Sequence, residues 1–366
     1  MRVGLDYRAA ASYPNSGLGR QALALEQALR AHPDVQLQLF TVAPDNDPLR
    51  RKAHCPSWGS PLTGMHRLPP RIRFEAGFLP EALRKCDIQT YICNANMGLP
   101  LARKPAGVKY VLQLHDVFQL TLTNAHASKI KALIYGYTDK LSIRWSVNSA
   151  DRIWTPSQYT ADELVKLFPG ARDKVRVLPN LVLPFTGELS DISDLSLPTR
   201  YWLCVGTREP RKNIPWFVSA WQQARQQNAE VPDLVLVGSR DDLPSAQQHL
   251  HGIHFVSNLS DAQLHALYAG AARLWQPSYA EGFGLPVIEA LAQGTPVAVA
   301  QGSALDEITP PDSPRFSPTD GDALVHLMKS LAVDHPVDTA ALKTWAEGYG
   351  EQAYRQRFNA LLEELR

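Results

Sequence analysis

Two glutamates eight positions apart frame the densest chemistry in this chain of 366 residues. They are Glu281 and Glu289, in the run Tyr279-Ala-Glu-Gly-Phe-Gly-Leu-Pro-Val-Ile-Glu289. Between them Gly282, Phe283 and Gly284 read as a turn. Pro286 then suits the first position of a helix, where its missing N–H costs nothing. Residues 287–293 are predicted to form that helix, and Gly294 its left-handed stop. Such a turn aims the N–H groups around Phe283, Gly284 and Leu285, with the positive end of the helix, at one point, which suits a phosphate. Glu281 precedes that point, and Glu289 is expected in the first helical turn. Carboxylates accept hydrogen bonds from hydroxyls, so a sugar and a ribose on either side of a diphosphate would suit the pair. A Glu in a first turn is by itself ordinarily only a partner of the helix dipole. The whole string is far more specific than either residue.

Cations for a diphosphate stand in Gly206-Thr-Arg-Glu-Pro-Arg-Lys-Asn213. Arg208, Arg211 and Lys212 fall within five positions, directly after the apolar run of residues 201–205. Arg and Lys neutralise phosphate charge, and the C-terminal end of a strand is where α/β folds bind ligands. Gly17-Leu-Gly-Arg20 opens the first long helical pattern and lacks the full dinucleotide-binding glycine spacing, so alone it is a weak motif. His115 and Asp116 close a Val- and Leu-rich strand, again at an edge favourable for function. Ser157 reads as a helix cap. Val256 ends another strand of the second half.

These residues need strands and helices to hold them, and the two patterns alternate along the chain. Strands are predicted at 3–6, 36–42, 88–93, 108–114, 152–155 and 175–178, then at 201–205, 234–237, 253–256, 273–276 and 296–300. Helical patterns include 21–31, 128–149 and 340–365, while 43–80 is irregular and rich in Pro and Arg. Regular alternation points to an α/β fold with parallel sheets. The aperiodic stretch 184–198, with Gly, Ser, Asp and two prolines, reads as a linker. It separates an expected N-terminal domain, 1–185, from a second one, 198–344.

Bulk composition narrows the function classes. Hydrophobic residues make up 45% and charged residues 20%, which is ordinary for a globular protein. A net charge of +1 gives no global field for nucleic acid. The four cysteines, Cys55, Cys86, Cys93 and Cys204, form no C-x-x-C pair, which suits a reducing compartment without a thiol metal site. The N-terminal residues read as a strand and not as a signal-peptide core, and no apolar run approaches a membrane span. A cytoplasmic location is expected, with peripheral contact at the inner face of the membrane as an option.

Taken together, the Glu281-to-Glu289 string, the Gly206…Arg-Lys-Asn213 loop, Gly17-Leu-Gly19 and His115-Asp116 resemble the signature of retaining glycosyltransferases of family 4, which have the GT-B architecture. The resemblance runs over nearly the full chain. It implies two Rossmann-like domains with parallel sheets facing a central cleft, and a C-terminal helix, about 345–366, that crosses back to the first domain. It implies a nucleotide-diphosphate sugar as co-substrate, with no cofactor and no bound metal. Lys212 maps onto the family's phosphate lysine. The family's arginine usually follows the glycine directly, where Thr207 stands here, so Arg208 or Arg211 takes that role. Gly17 and Gly19 would approach the diphosphate or acceptor from the first domain, and His115 would contact the donor sugar. The nucleobase would pack near Val256, Glu281 would bind sugar hydroxyls, and Glu289 the ribose. Glu-Pro-Arg-Lys-Asn213 is similar to bacterial mannosyltransferases of O-antigen and exopolysaccharide assembly, which leans toward GDP-mannose and a glycan or lipid-linked acceptor. A nucleotide-sugar 2-epimerase and a non-catalytic subunit of an assembly complex are the alternatives.

A membrane contact is legible in two stretches. Residues 54–78 carry Arg67, Arg71 and Arg73 beside Leu68, Ile72, Phe74 and Phe78. Residues 128–145 carry Lys129, Lys131, Lys140 and Arg144 beside Ile130, Leu133, Ile134, Leu141 and Trp145. Basic and apolar residues mixed in this way suit either ordinary amphipathic packing or an anionic lipid surface.

Overall fold

The computed structural model describes residues 1–59, 68–122, 129–333 and 336–366, with the backbone alone for 129–135. The chain divides into two compact units, Met1–Leu181 with Tyr354–Arg366, and Val182–Ala353.

The first unit is built on six strands: β1 Arg2–Asp6, β2 Gln36–Phe40, β3 Thr90–Cys93, β4 Lys109–Gln113, β5 Arg152–Thr155 and β6 Val175–Val177. All pairings are parallel, in the order β2-β1-β3-β4-β5-β6. Side chains alternate across the sheet. Val3, Leu5, Ile92, Val111 and Trp154 enter one core cluster, while Tyr91, Cys93, Tyr110, Leu112 and Ile153 enter the other. Both faces are covered, which is why β3 and β4 read as nearly unbroken apolar runs. The end of the C-terminal helix, Glu351–Glu363, belongs to this unit from Tyr354 onward. Phe358 meets Trp154 edge-on with ring centroids 5.9 Å apart, and the Lys109 ammonium donates to the Leu365 carbonyl at 2.7 Å.

The second unit carries β7 Tyr201–Val205, β8 Asp233–Val237, β9 Ile253–Val256, β10 Arg273–Gln276, β11 Val297–Ala300 and β12 Arg315–Phe316, again all parallel. The order is β12-β11-β10-β7-β8-β9. Tyr201 and Leu203 face one core cluster, Trp202 and Cys204 the other.

Strand order reverses between β1 and β3 in the first sheet and between β7 and β10 in the second. At such a point the loops leaving two neighbouring strands diverge to opposite faces and open a crevice beyond the strand ends, where α/β folds bind ligands. The loops carrying Gly206–Asn213 and Glu281 leave β7 and β10. Asp6 ends β1, and Asn94 follows β3.

Two local expectations are corrected. The helix after the glycine turn is Leu285–Ala292, so Pro286 occupies its second position and not its first. Glu289 is its fifth residue and lies beyond the first turn, which holds no acidic residue. The irregular 43–80 stretch contains a 3-10 turn, Pro48–Arg51, then Leu68–Ile72, a π-wound turn Arg73–Phe78, and the helix Leu79–Lys85. Arg67 and Ser128 lie outside the described residues, as do the side chains of Lys129, Ile130, Lys131, Leu133 and Ile134. No helix among the described residues is long and apolar enough to cross a membrane.

Candidate active site

In the second unit the two loops of the switch point meet through charge. Gly206 leaves β7 at φ +82, a left-handed conformation that favours glycine. The following 3-10 turn, Pro210–Lys212, brings two cations inward. Arg211 Nη1 lies 2.6 Å from Glu281 Oε2, and Lys212 Nζ lies 3.1 Å from Glu281 Oε1. The Tyr279 N–H donates to the Arg211 carbonyl at 3.0 Å, tying the loops together along their backbones. Gln276 Nε2 and Ser278 Oγ also donate to Glu281 Oε1, at 2.9 and 2.8 Å. Burial alone would push the Glu281 carboxyl up. Lys212, Arg211 and the Ser278 hydroxyl outweigh it and hold the pKa at about 2. Glu281 is therefore ionised at neutral pH. Two cations thus converge on one carboxylate, which holds them together at a point where an anion can be received.

The helix N-terminus is set by Gly284, at φ +116. A side chain there would meet Leu305 Cδ2 at 2.6 Å as well as the backbone strain. Phe283 is buried beside it, in the cluster that includes Val287, Leu305 and Ile308. Further along the helix Glu289 is buried at 7% exposure. The Tyr268 hydroxyl, on the helix Asp261–Gly270, donates to Glu289 Oε2 at 2.8 Å. Tyr268 was not foreseen, because one Tyr among apolar helical positions looks like core.

The candidate residues of this half do not all converge. Arg208 is exposed, whereas Arg211 joins Lys212 and Glu281. Thr207, where the resemblance leads one to expect an arginine, donates from its hydroxyl to Asp242 at 2.5 Å. Val256 is buried at the end of β9, and its carbonyl accepts the Gly238 N–H at 2.8 Å.

In the first unit His115 follows β4 and lines a pocket of about 300 Å³. Its backbone N–H donates to Asn96 Oδ1 at 2.8 Å, and its Nε2 meets Asn94 Oδ1 at 2.9 Å. Asn94 Nδ2 donates to the Leu18 carbonyl at 3.0 Å. A carbonyl can only accept, so the amide of Asn94 must face Leu18 and its oxygen must face the ring. Nε2 therefore carries the hydrogen, and Nδ1 is the acceptor nitrogen. Desolvation lowers the His115 pKa to about 4, so the imidazole is neutral at physiological pH.

The Gly17-Leu-Gly19 turn begins the helix Gly17–Ala31, capped by Ser16, whose Oγ accepts the Gly19 N–H at 3.1 Å. A Cβ on Gly19 would lie 2.0 Å from the Tyr13 carbonyl oxygen, so this glycine is required by its own loop. Asp116 Oδ1 accepts from Asn96 Nδ2 at 3.2 Å and from the Phe118 N–H at 3.0 Å. Asp6, Asn94 and Asn96 were not singled out from the sequence. Their one readable feature is a polar side chain at or shortly after the end of an apolar strand, which a turn residue shares.

Known proteins resemble this chain in sequence and in fold. The family model described as Glycosyltransferase Family 4 matches residues 15–183, and that described as Glycosyl transferases group 1 matches residues 199–334. The O-antigen chain mannosyltransferase B of Escherichia coli is 28% identical over 358 residues, covering 88% of each chain. Sucrose-phosphate synthase from Thermosynechococcus elongatus superposes with a TM-score of 0.68 at 20% identity, over 100% of this chain and 99% of that one. Anabaena Alr3699/HepE in complex with UDP-glucose gives 0.66 at 15% identity, over 100% of both chains. The chain belongs to the family 4, group 1 glycosyltransferases, with the two-domain α/β GT-B architecture. It is a glycosyltransferase.

Proposed function

We propose that the protein transfers a sugar, with retention and without a metal ion, from a nucleotide-diphosphate donor to a hydroxyl of a glycan or lipid-linked acceptor. The observation that carries this reading is the pairing of Arg211 and Lys212 with Glu281 beside the N-terminus of Leu285–Ala292. As the bond from sugar to diphosphate breaks, negative charge grows on the leaving phosphate. Lys212, Arg211 and the N–H groups at Phe283 to Leu285 are fixed in advance to receive it. Glu281 holds both cations in place. Its Oε1 already takes Gln276, Ser278 and Lys212, so Oε2 is the oxygen with capacity for a sugar hydroxyl. Glu289, oriented by Tyr268, binds the ribose, and the base packs by Val256. His115, neutral with Nδ1 as acceptor, takes a hydroxyl of the donor sugar and does not act as an acid.

The donor reading is GDP-mannose and the setting cell-surface polysaccharide assembly. The E. coli mannosyltransferase relative and the resemblance of Glu-Pro-Arg-Lys-Asn213 to bacterial mannosyltransferases favour both. The reading includes peripheral contact with the inner face of the membrane. Tyr137, Leu141 and Trp145 are exposed at successive fourth positions of the helix Lys129–Ser149, flanked by exposed Lys140 and Arg144. Ile72 and Arg73 are exposed as well, but Arg71 is buried and paired with Asp139 at 3.0 Å, which removes it from any lipid-facing set. Sugar release from UDP-, GDP- and ADP-sugars, with and without acceptor and with the product anomer read by NMR, tests the proposal. Acceptor-dependent release from GDP-mannose with retained configuration is expected. An inverted product or no release from any donor contradicts it.

A further inference from the structure

In the second unit the loop that carries Arg211 and Lys212 is fastened to a neighbouring turn by a buried hydroxyl. We infer that Thr207 and Asp242 are positioning residues, a clasp that fixes the Gly206–Asn213 loop so that Lys212 stands ready for the diphosphate. The inference rests on the donor reading above and adds the device that places its lysine.

β7 and β8 run side by side, with Val205 opposite Val237, and the Gly206 N–H donates to the Val237 carbonyl at 2.9 Å. From there the chain leaves the sheet. Arg208, Glu209 and Pro210 are exposed, whereas Thr207 is buried at 5% exposure. A hydroxyl withdrawn from water is costly unless it is hydrogen-bonded. Thr207 donates to Asp242 Oδ2 at 2.5 Å, and a bond to a carboxylate is roughly twice as strong as one between neutral groups. The receiving group is itself held. Asp242 Oδ2 also accepts the Ser239 N–H at 3.1 Å, at the 3-10 turn Arg240–Asp242. The next residue, Leu243, is buried in the same core cluster as Cys204, Leu234 and Leu236. Gly238 completes the fit. A Cβ there would lie 1.7 Å from Thr207 Oγ1, so the exit of β8 must be glycine if the hydroxyl is to reach its acceptor.

Lys212 lies five positions beyond Thr207. On its other side Asn213 takes φ +59 and its Nδ2 donates to the Pro318 carbonyl at 3.0 Å. Glu281 and the Tyr279 N–H hold the loop from the side of β10. Thr207 holds it from the side of β8. Ordering a lysine side chain costs rotamer freedom. A backbone fixed from both sides lowers the further cost of presenting the ammonium to a phosphate. Thr207 stands where the resemblance leads one to expect an arginine. It brings no charge to the diphosphate, and its contribution is to where the charge of Lys212 stands.

The test reads Lys212 in the full chain without nucleotide. Acetic anhydride modifies lysines according to their accessibility, and mass spectrometry reads each site. Lys343, exposed in the same unit, is the reference. In the parent chain Lys212 should react slowly. Thr207→Val, which removes the hydroxyl and keeps the branched shape, should raise its rate relative to Lys343 at least about threefold by local opening. Asp242→Ala should do the same, which keeps the test open if Thr207→Val does not fold. Thr207→Ser, which retains the hydroxyl, should stay near the parent. A Lys212 rate unchanged in Thr207→Val and Asp242→Ala, or raised equally by Thr207→Ser, overturns the inference. Calorimetry with GDP supplies a second readout. Thr207→Val should weaken GDP at least about threefold in the parent and hardly at all where Lys212 is already alanine, because a residue acting through Lys212 then has nothing to place. Equal losses in both backgrounds overturn the inference. A parent that binds no GDP, with Lys212 reactivity still following the clasp, would fault the donor reading and not the clasp.

Discussion

Tyr268 donates to one oxygen of Glu289, and that bond fixes which way the carboxylate faces. If Glu289 binds the ribose, Tyr268→Phe should weaken nucleoside diphosphates by about 1 kcal/mol, the net worth of one hydrogen bond. The same variant should change affinity for 2′,3′-dideoxynucleoside diphosphates little, which calorimetry can measure. Equal losses on both ligands would mean that Tyr268 only packs. His115 supplies a second prediction at this scale. Its folded pKa of about 4 lies below the ordinary value of about 6.5, so between these limits the unfolded chain binds a proton that the folded chain does not. The stability due to His115 is then complete above about pH 6.5 and falls as pH drops toward 4, by on the order of 3 kcal/mol. Urea unfolding at pH 7 and 5 should show a smaller loss in His115→Gln than in the parent chain, and an equal loss would contradict the buried neutral imidazole. Glu281, held at about 2, makes its contribution above about pH 4.5 and loses it only at lower pH, so the two groups separate.

At the scale of elements, Gly284 is the position where backbone, packing and site meet. Its φ of +116 and the 2.6 Å approach of Leu305 to any added Cβ predict that Gly284→Ala costs about 1–3 kcal/mol and weakens nucleotide binding by displacing the helix start. A urea midpoint indistinguishable from the parent would show that the turn relaxes freely. The strands around it were legible because strands covered on both faces are nearly continuous apolar runs bounded by polar turns. The strands at 152–155, 201–205, 253–256 and 273–276 match β5, β7, β9 and β10 residue for residue, and the ends of the other expected strands shifted by one or two. β12 has only two residues, Arg315–Phe316, too short to stand out. The 43–80 stretch hid its helices because Pro69, Pro70 and Pro80 fall inside them and one turn is π-wound, which breaks the 3.6-residue period on which helical reading depends. Glu281 and Lys212 were readable from spacing within their loops. Tyr268, Asn94 and Asn96 were not, because their partners lie far away in sequence.

For the whole molecule, the two sheets repeat one arrangement, with functional candidates at the switch point of each. The second unit's point collects positive charge around Glu281. The first unit's pocket has its cations paired away. The proposed membrane contact adds a further expectation, since Tyr137, Leu141 and Trp145 are exposed beside exposed Lys140 and Arg144 and would face the lipid together. Each basic residue near an anionic surface contributes about 1 kcal/mol, and salt screens it. Flotation with anionic liposomes at low salt should recover the protein, and high salt or neutral liposomes should release it. No preference for anionic vesicles would leave a soluble acceptor.

On the proposed reading, protein cations and a helix N-terminus, not a metal, hold the diphosphate. Calorimetric titration of GDP into the parent chain and into Lys212→Ala, in excess chelator, tests it most directly. The parent should bind GDP without metal, and Lys212→Ala should bind at least about tenfold more weakly, as for loss of one charge-assisted contact. Lys212→Ala should leave the affinity for guanosine, which has no phosphate, unchanged. Binding that requires manganese or magnesium, or equal affinity of parent and variant for GDP, would contradict the account.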